Sequence, residues 1–478
     1  MRLLISLTTA LLVNAASLAA EPVGEPARIA LDPAHLRAAS MLADTALEGT
    51  EAMDIVRGLS YEVGPRSAGS AGDRAAVVWA LDRMHQMGFA SVHPEAVEVP
   101  HWERGQVTVE TVAPERMQLM AVMLGGSIGT AEIGIEATIL RVHDLAELAT
   151  LDRDEVAGRI VYFDRRMERN AAGSGYGVAV QERGKGAIEA SKMGAVGVII
   201  RSAGTSTSRF AHTGNMHYED GVRRIPAAAL PNSDADALER LLDRGEPVTL
   251  RLWSSARRLE PEMSANVIGE IPGRGTLRDQ VIVLGAHLDA WDTGLGAQDD
   301  GTGVAIMLEA ATRVATVSTR DRRTIRVVLY ANEEAGLSGA LAYVRAHADE
   351  LGRHALAMEA DFGAGRVLSI ASGFPEGTVA IADAMIASLA PMGVERGASD
   401  TSGGADVGRL WHRGVPVLAP RQDGTYYFDV HHTPDDTPDR IDPAQLDQNV
   451  AVYTALTYLA ATYAGDLGRV PVTPDDAG

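Results

Sequence analysis

The chain has 478 residues, no cysteine and a formal net charge of −21 at pH 7. This length exceeds that of most single domains and predicts at least two. The negative charge repels phosphates, which argues against nucleic acid and anionic membrane surfaces as partners. Without cysteine the chain has no disulfides and no thiolate ligands, so any metal site must use His, Asp and Glu side chains.

The first twenty residues have the order of a secretory signal peptide. Arg2 gives a basic start, residues 3–13 form an apolar run too short to span a bilayer, and small residues follow. We predict cleavage after Ala19 or Ala20 and export to a periplasm or the medium, with a buried N-terminal helix as the alternative. Residues 21–43 are expected to be a leader or propeptide-like arm, and no later stretch is long and apolar enough to span a membrane.

Most of the remaining chain has the pattern of an α/β fold. Apolar strand-like runs alternate with helical runs between residues 255 and 466, which predicts a mixed, mostly parallel sheet covered by helices. The runs lie at 281–284, 304–314, 325–330, 337–346, 355–358, 379–389, 415–418 and 450–463. Segment 44–127, with a helix at 73–87, is expected to join them in one discontinuous domain, and 467–478 is expected to be a flexible tail.

The sequence pattern changes at residues 128–254 and predicts an inserted β-rich unit there. A short β run at 160–163 is followed by a helical run at 187–193 and an apolar run at 194–200. The phrase V-x-G-R-I-V-x-x-D-R, followed by K-G-A-I-E-A-S-K-M-G-A-V-G-V-I-I, resembles a protease-associated domain. Such modules pack against peptidases and shape access to them. An ordinary βαβ piece is the alternative.

Metal-binding side chains follow one predicted strand after another. In open α/β sheets, ligands bind beyond the carboxyl ends of the strands, so these side chains are expected to meet at one edge. Zinc binds imidazole nitrogens and carboxylate oxygens, and two adjacent zinc ions share a carboxylate. The side chains are His287 and Asp289 after 281–284, Asp299 and Asp300 before the helix at 301–303, Glu333 and Glu334 after 325–330, Glu359 and Asp361 after 355–358, and His431 and His432 after 415–418.

Each of these side chains also has an ordinary alternative, such as a helix cap for Asp299 or a turn for Asp361. Their succession at strand ends favours a metal centre. Three carboxylates, two neutral imidazoles and one hydroxide balance two dications, and Glu333 is then free to act as a general base. Asp289 is placed to orient His287. One ligand set that satisfies this balance is His287, Asp299, Glu334, Asp361 and His432.

The same region resembles the metal-binding signature of the plasma glutamate carboxypeptidase (carboxypeptidase Q) family, whose relatives include the bacterial co-catalytic zinc aminopeptidases. The resemblance covers most of the chain after about residue 45, with the motifs in the family's order. The motifs are H-L-D-A-W-D-T-G at 287–294, continuing through G-A-Q-D-D-G-T-G at 296–303, then A-N-E-E-A-G at 331–336, M-E-A-D at 358–361, S-G-G-A-D at 402–406, H-H-T at 431–433 and D-T at 436–437.

Carried over by position, the resemblance implies two zinc ions per chain. One is bound by His287 and Asp361, the other by Glu334 and His432, with Asp299 bridging, Glu333 as general base and Asp289 orienting His287. The family's metal histidine stands four residues before the Asp of the Asp-Thr pair, which selects His432 rather than His431. The resemblance also implies a cis peptide bond after Asp299. Pro434 and Asp435 depart from the family pattern.

The expected activity is that of a zinc-dependent exopeptidase that hydrolyses a terminal bond of short peptides or dipeptides. Dipeptide or longer substrate, and amino or carboxyl end, stay open. Family members are often dimers, so a homodimer is one expected assembly. The candidate substrate contacts are Tyr426, Tyr427, Asp406 and Arg421, with packing tyrosines and a surface salt bridge as alternatives.

Two other interpretations compete with this one. A two-zinc peptidase with a lid inserted after the Glu-Glu motif is disfavoured, because only about seventy residues separate Asp361 from His432. A non-catalytic binding or receptor protein on the same fold is disfavoured because every expected ligand type is present.

Overall fold

The computed structural model describes residues 31–473. Within them the chain forms eighteen strands. In chain order these are β1 (Ala90–Val99), β2 (Trp102–Glu103), β3 (Val107–Ala113), β4 (Met117–Leu119), β5 (Val122–Met123), β6 (Ile135–Val142), β7 (Ile160–Phe163), β8 (Gly197–Arg201), β9 (Ala227–Leu230), β10 (Thr249–Ser254), β11 (Arg257–Arg258), β12 (Glu262–Ile271), β13 (Val281–His287), β14 (Thr324–Tyr330), β15 (His354–Glu359), β16 (Val367–Gly373), β17 (Glu395–Arg396) and β18 (Val417–Gln422).

The same residues form twelve α-helices. They are α1 (Pro33–Leu47), α2 (Ala52–Gly58), α3 (Ala71–Gln86), α4 (Leu145–Leu148), α5 (Arg153–Val156), α6 (Ser174–Lys192), α7 (Asn232–Leu242), α8 (Thr302–Ala315), α9 (Ser338–Ala346), α10 (Val379–Ala387), α11 (Gly408–Trp411) and α12 (Pro443–Thr462). None of these helices combines the length and the apolar character that crossing a membrane requires.

The main sheet has eight strands in the order β1-β12-β14-β13-β15-β18-β16-β17. The four central strands, β14, β13, β15 and β18, run parallel to one another. β12 and β1 on one side and β16 on the other pair antiparallel with their neighbours. The predicted mixed, mostly parallel sheet is therefore confirmed, and β16 is a strand that the sequence pattern did not reveal.

Helices cover both faces of the main sheet. One face carries a large apolar cluster built with α1, α2, α8, α10 and α12, and the other carries a smaller cluster with α9 and α11. Almost every residue of α8 is buried, as expected for a helix that is apolar on all sides. Because α8 begins at Thr302, its packing also fixes the position of Asp299, three residues earlier.

A second eight-stranded sheet, ordered β4-β3-β10-β6-β7-β8-β9-β5, forms a unit of its own. The sequence pattern predicts that this unit starts at residue 128, and the structure corrects that boundary. β3, β4 and β5 pair within the second sheet, and β2 pairs with β11 where the chain passes between the two units. The second unit therefore spans about residues 102–258, because strand pairing between distant segments decides which sheet a strand joins.

The two ends of the described chain are packed, which corrects two further boundaries. α1 runs through the predicted boundary at residue 43, is capped by Asp32 and packs on α12, where His35 Nδ1 lies 3.0 Å from Tyr458 Oη. At the other end the Val470 N–H donates to the Gly414 carbonyl (3.1 Å), so residues 467–473 are not a flexible tail. The predicted signal peptide, 1–20, lies outside the described residues.

Candidate functional site

The predicted ligands meet at the carboxyl edge of the main sheet. His287 is the last residue of β13, and Glu334 follows β14 by four residues. Asp361 follows β15 by two residues, and His432 lies in the loop between β18 and α12. Since β13, β14 and β15 are parallel neighbours, their carboxyl ends lie side by side. The strand-end argument therefore predicted correctly which segments converge.

Asp299 lies at the centre of this cluster. Its Oδ1 is 3.2 Å from His287 Nε2, and its Oδ2 is 3.1 Å from His432 Nε2. His287 Nε2 also lies 3.4 Å from Asp361 Oδ1, and His432 Nε2 lies 3.0 Å from Glu334 Oε2. One carboxylate thus touches both histidines, and each histidine touches a further carboxylate. The peptide bond between Asp299 and Asp300 is cis.

Both neighbouring histidines face Asp299. His431 Nε2 is 3.4 Å from Asp299 Oδ2, and its ring stacks on that of His432 with centroids 3.6 Å apart. The two rings differ in their other contacts. His432 Nδ1 lies 3.2 Å from the Thr213 carbonyl, whereas His431 Nδ1 is buried without a hydrogen-bond partner. Of these two rings, only that of His432 has one nitrogen next to a carbonyl acceptor while its other nitrogen faces two carboxylates.

Asp289 links His287 to the Glu-Glu motif. Its carboxylate accepts hydrogen bonds from the backbone N–H groups of Glu333 (3.0 Å) and Glu334 (3.4 Å). Its Oδ1 lies 3.5 Å from His287 Nδ1, and its backbone carbonyl lies 3.0 Å from the same nitrogen. Asn332, just before the motif, has a left-handed backbone (φ 56°). Asp289 therefore holds the motif on which Glu333 sits.

The pKa values of the cluster are shifted in opposite directions, because burial and like charges raise those of the carboxyl groups whereas neighbouring imidazoles lower them. Burial, and then Asp361, raise the pKa of Glu333 well above its usual range. Burial also favours the neutral form of Asp299, but the hydrogen bond to His287 and the nearby ring of His432 outweigh it and hold its pKa well below the usual value. For His432 burial lowers the pKa, yet Glu334 raises it well above normal. Strongly shifted pKa values within one cluster are typical of functional sites.

The donor set fits zinc. Two groups within residues 31–473 bring three metal-binding atoms within 4.8 Å of one another, and Asp299 belongs to both. Asp299 Oδ2 is buried and makes no hydrogen bond, although His432 Nε2 is only 3.1 Å away. Imidazole and carboxylate are the ligands that zinc uses in the absence of thiolates. The two groups are His287, Asp299 and Asp361, and Asp299, His431 and His432.

A cavity of about 490 Å³ opens beside Asp361. Its wall includes the apolar residues Phe362, Leu368 and Ala419, residues 171–172 of the second unit, and Arg421. Arg421 Nη2 donates to Thr401 Oγ1 (2.9 Å), and none of the ion pairs formed among residues 31–473 includes Arg421. Arg421 is thus the predicted substrate contact that the structure brings to a cavity next to the cluster.

The other three predicted substrate contacts do not line this cavity. Asp406 is buried and does not line this cavity; both of its oxygens lack hydrogen bonds, and burial, followed by Glu359, raises its pKa well above normal. Tyr426 is 73% exposed and lies under Arg169, so it does not face the cluster. Tyr427 is buried against Phe362 and His431, with ring centroids 5.0 Å from each. Of the two tyrosines, only Tyr427 adjoins the cluster.

The structure gives a role to two residues for which the sequence analysis proposed none. The Asp436 carboxylate accepts the N–H groups of Gln298 (2.7 Å) and Asp299 (3.1 Å). Arg66 is fully buried and donates to the carbonyls of Leu288 (2.6 Å) and Leu295 (2.7 Å). Asp436 was visible as part of a motif, whereas a lone arginine in a loop gives no sequence signal of this role.

Comparisons with known proteins agree with this geometry. Residues 266–457 match the sequence profile of peptidase family M28. The chain is 35% identical to carboxypeptidase Q of Rattus norvegicus over 399 residues, which are 84% of this chain and 83% of that protein. It is 42% identical to a peptidase M28 precursor of Shewanella amazonensis SB2B, whose crystal structure covers 92% of this chain and 99% of its own, with a TM-score of 0.89.

A more distant structure shares the fold. It is a zinc aminopeptidase from Bacillus subtilis, with 20% identity, coverage of 88% of this chain and 97% of its own, and a TM-score of 0.62. The similarity extends over both sheets of the chain.

Proposed function

Because the chain belongs to peptidase family M28 and is a metallo-exopeptidase, we propose that it hydrolyses a terminal bond of short peptides with two zinc ions and Glu333 as general base. The observation that carries the proposal is the position of Asp299 between two imidazole–carboxylate groups at the sheet edge. One zinc would be held by His287 and Asp361, the other by Glu334 and His432, with Asp299 shared.

The chain's own residues have distinct tasks in this reaction. When bound, zinc lowers the pKa of water and polarises the scissile carbonyl. Glu333, whose ionised form the charges of bound zinc would favour, accepts the proton of the attacking water and delivers it to the leaving amine. Asp289 keeps Glu333 in place through its backbone N–H and fixes the ring of His287. Tyr427, which burial and then Asp299 keep protonated by raising its pKa well above normal, is the candidate hydrogen-bond donor to the substrate carbonyl.

We further propose that the substrate has a free carboxyl end. The cavity beside Asp361 offers an apolar wall and one cationic side chain, Arg421, without a carboxylate partner among residues 31–473. A guanidinium pairs well with a carboxylate and repels an ammonium group. An apolar carboxyl-terminal residue, with its carboxylate on Arg421 and its amide at the metal cluster, matches both features.

Two further parts of the proposal concern the rest of the chain. We infer that the second unit is a protease-associated module, supported by the phrases at 156–165 and 185–200 and by residues 171–172 in the cavity wall. We also infer export, which rests on the composition of residues 1–20. The mass of the mature chain, which should begin at Ala20 or Glu21, tests the export.

The reaction class is tested by metal content and chelation. The purified mature protein is expected to hold about two zinc ions per chain and to hydrolyse an unblocked dipeptide, with loss of activity in chelator and recovery on adding zinc. Elemental analysis and a dipeptide assay measure both. A protein that neither binds zinc nor cleaves short peptides after metal addition is instead a binding protein on this fold.

Replacing the base should separate chemistry from metal binding. Glu333→Gln is expected to retain zinc and the folded state while kcat falls by about 10²–10⁴, because the amide cannot accept the proton of water. Glu98→Gln on the exposed side of β1 is the control, with normal kcat expected. Near-normal turnover of Glu333→Gln would show that another group is the base.

The two adjacent histidines should differ in metal content. His432→Ala is expected to lose one of two zinc ions, because His432 contacts both Asp299 and Glu334 and has its second nitrogen held by Thr213. His431→Ala is expected to keep both. Elemental analysis of the two proteins, purified in parallel, decides the assignment; equal zinc content would contradict it.

The carboxylate subsite makes its own prediction. Arg421→Met should raise KM for an unblocked dipeptide with an apolar second residue, lowering kcat/KM by about tenfold through loss of one exposed charge-assisted interaction. The same dipeptide with a carboxyl-terminal amide is the matched control, and the variant should cleave it as the native enzyme does. If both substrates are affected equally, Arg421 does not bind the carboxylate.

A further inference from the structure

A single arginine joins the two units close to the metal cluster. Arg104, one residue after β2, is mostly buried, with its guanidinium over the rings of Trp102 (4.8 Å) and Trp291 (5.6 Å). Its Nε and Nη2 donate to the Asp292 carboxylate in the loop after His287, at distances down to 2.5 Å. Its Nη1 donates to Thr213 Oγ1 (2.7 Å) and to the Met123 carbonyl. All three nitrogens of the Arg104 guanidinium group thus donate hydrogen bonds, and these bonds link the second unit to the main one.

Thr213, which Arg104 holds, makes a reciprocal pair of hydrogen bonds with His432. The Thr213 N–H donates to the His432 carbonyl (3.2 Å), and His432 Nδ1 lies 3.2 Å from the Thr213 carbonyl. His432 has a left-handed backbone (φ 59°), a conformation that its surroundings must enforce. A Cβ at Gly214 would lie 2.9 Å from His432 Nδ1, so a side chain at position 214 would crowd the ring. The second unit therefore fixes both the backbone and the ring of His432.

The His432 ring also packs against Trp291. We call the contact region formed by Arg104, Thr213, Trp291 and Asp292 the joint between the two units. Trp291 packs edge-on against His432, with centroids 5.9 Å apart. Trp291 in turn lies so close to Gly125 of the second unit that a Cβ there would come within 2.0 Å of the indole. The Arg104 guanidinium lies over the Trp291 ring, 5.6 Å from its centroid. Besides the carboxylates, this imidazole is thus contacted by Thr213 of the second unit, by Trp291 and by the stacked His431.

We propose that Arg104 and Thr213 are positioning residues for His432, so that the second unit completes the zinc position formed by Glu334 and His432. The inference rests on the proposed function. A carbonyl acceptor at Nδ1 keeps the proton on that nitrogen and leaves the Nε2 lone pair for the metal. In this chain the acceptor belongs to the second unit. Loosening Arg104 or Thr213 would free the ring to rotate away from Glu334.

The test is the zinc affinity of variants that loosen the joint. Arg104→Met keeps the apolar stem between the two tryptophans but removes every donor, and Thr213→Val removes the hydroxyl that Arg104 binds. Each variant should bind one of the two zinc ions about 10–100-fold more weakly, because loss of a hydrogen-bond partner of a metal ligand typically has an effect of this size. The affinity for the other zinc ion should not change. Competition for zinc with a chromophoric chelator measures both affinities without recourse to activity.

Two matched variants separate positioning from general damage. Thr213→Ser keeps the hydroxyl and should restore native zinc affinity. Arg251→Met removes another arginine of the second unit, which pairs with Glu136 and Glu110 on the exposed side of its sheet, and should leave both zinc affinities unchanged. Melting of the metal-free proteins shows whether each variant folds, and Thr213→Val tests the proposal if Arg104→Met does not fold.

The outcomes distinguish this inference from the proposed function. If the native protein binds no zinc, the proposed function fails. If it binds two zinc ions and both joint variants bind them as tightly as the native protein, the positioning role is wrong. A uniform loss of both ions in folded variants would also overturn it, because the joint contacts only one of the two histidine ligands.

Discussion

The burial of like charges at one edge of the main sheet constrains everything around it. Asp299, Glu334 and Asp361 bring their carboxylates to the same two imidazoles. Two unit charges 4 Å apart interact by about 4 kcal/mol at the screening typical near a protein surface, and buried charge without a partner is costly. Such a group persists only with cations, protons or hydrogen bonds. Because zinc binds these side chains in their deprotonated forms, metal binding and the ionisation of the cluster are coupled.

Around the cluster, carboxylates that are not proposed as ligands hold the backbone of three ligand-bearing segments. Asp289 accepts the N–H groups of Glu333 and Glu334, Asp436 accepts that of Asp299, and Asp300 accepts that of His287 (3.2 Å). These second carboxylates bind no metal in the arrangement we propose, and they use their oxygens to fix the backbone of the loops that do. A shift of one of these loops would therefore move a ligand on another.

The sequence predicted which side chains converge where these side chains lie at the ends of parallel strands. His287, Glu334 and Asp361 each follow a parallel strand, so the rule that ligands bind beyond carboxyl ends was enough to bring them together. The start of the second unit was misplaced because the pairing of β3 with β10 joins segments more than a hundred residues apart, and no local pattern carries that information. Asp406 and Tyr426 were candidate substrate contacts, and only packing shows that Asp406 is buried behind the cavity wall and that Tyr426 faces solvent.

Residues of the joint were out of reach of sequence reasoning for a related reason. Thr213 acts on His432 through its backbone, so its side chain carries no signature of that contact, and Arg104 reaches it from another segment. The second unit, to which Thr213 belongs, also supplies Ala171 and Ala172 to the cavity beside Asp361. It therefore touches the cluster on two sides, at one ligand and at the cavity wall. An enzyme that cuts only at chain ends needs a site closed on one side, and here the wall of the cavity belongs to both units.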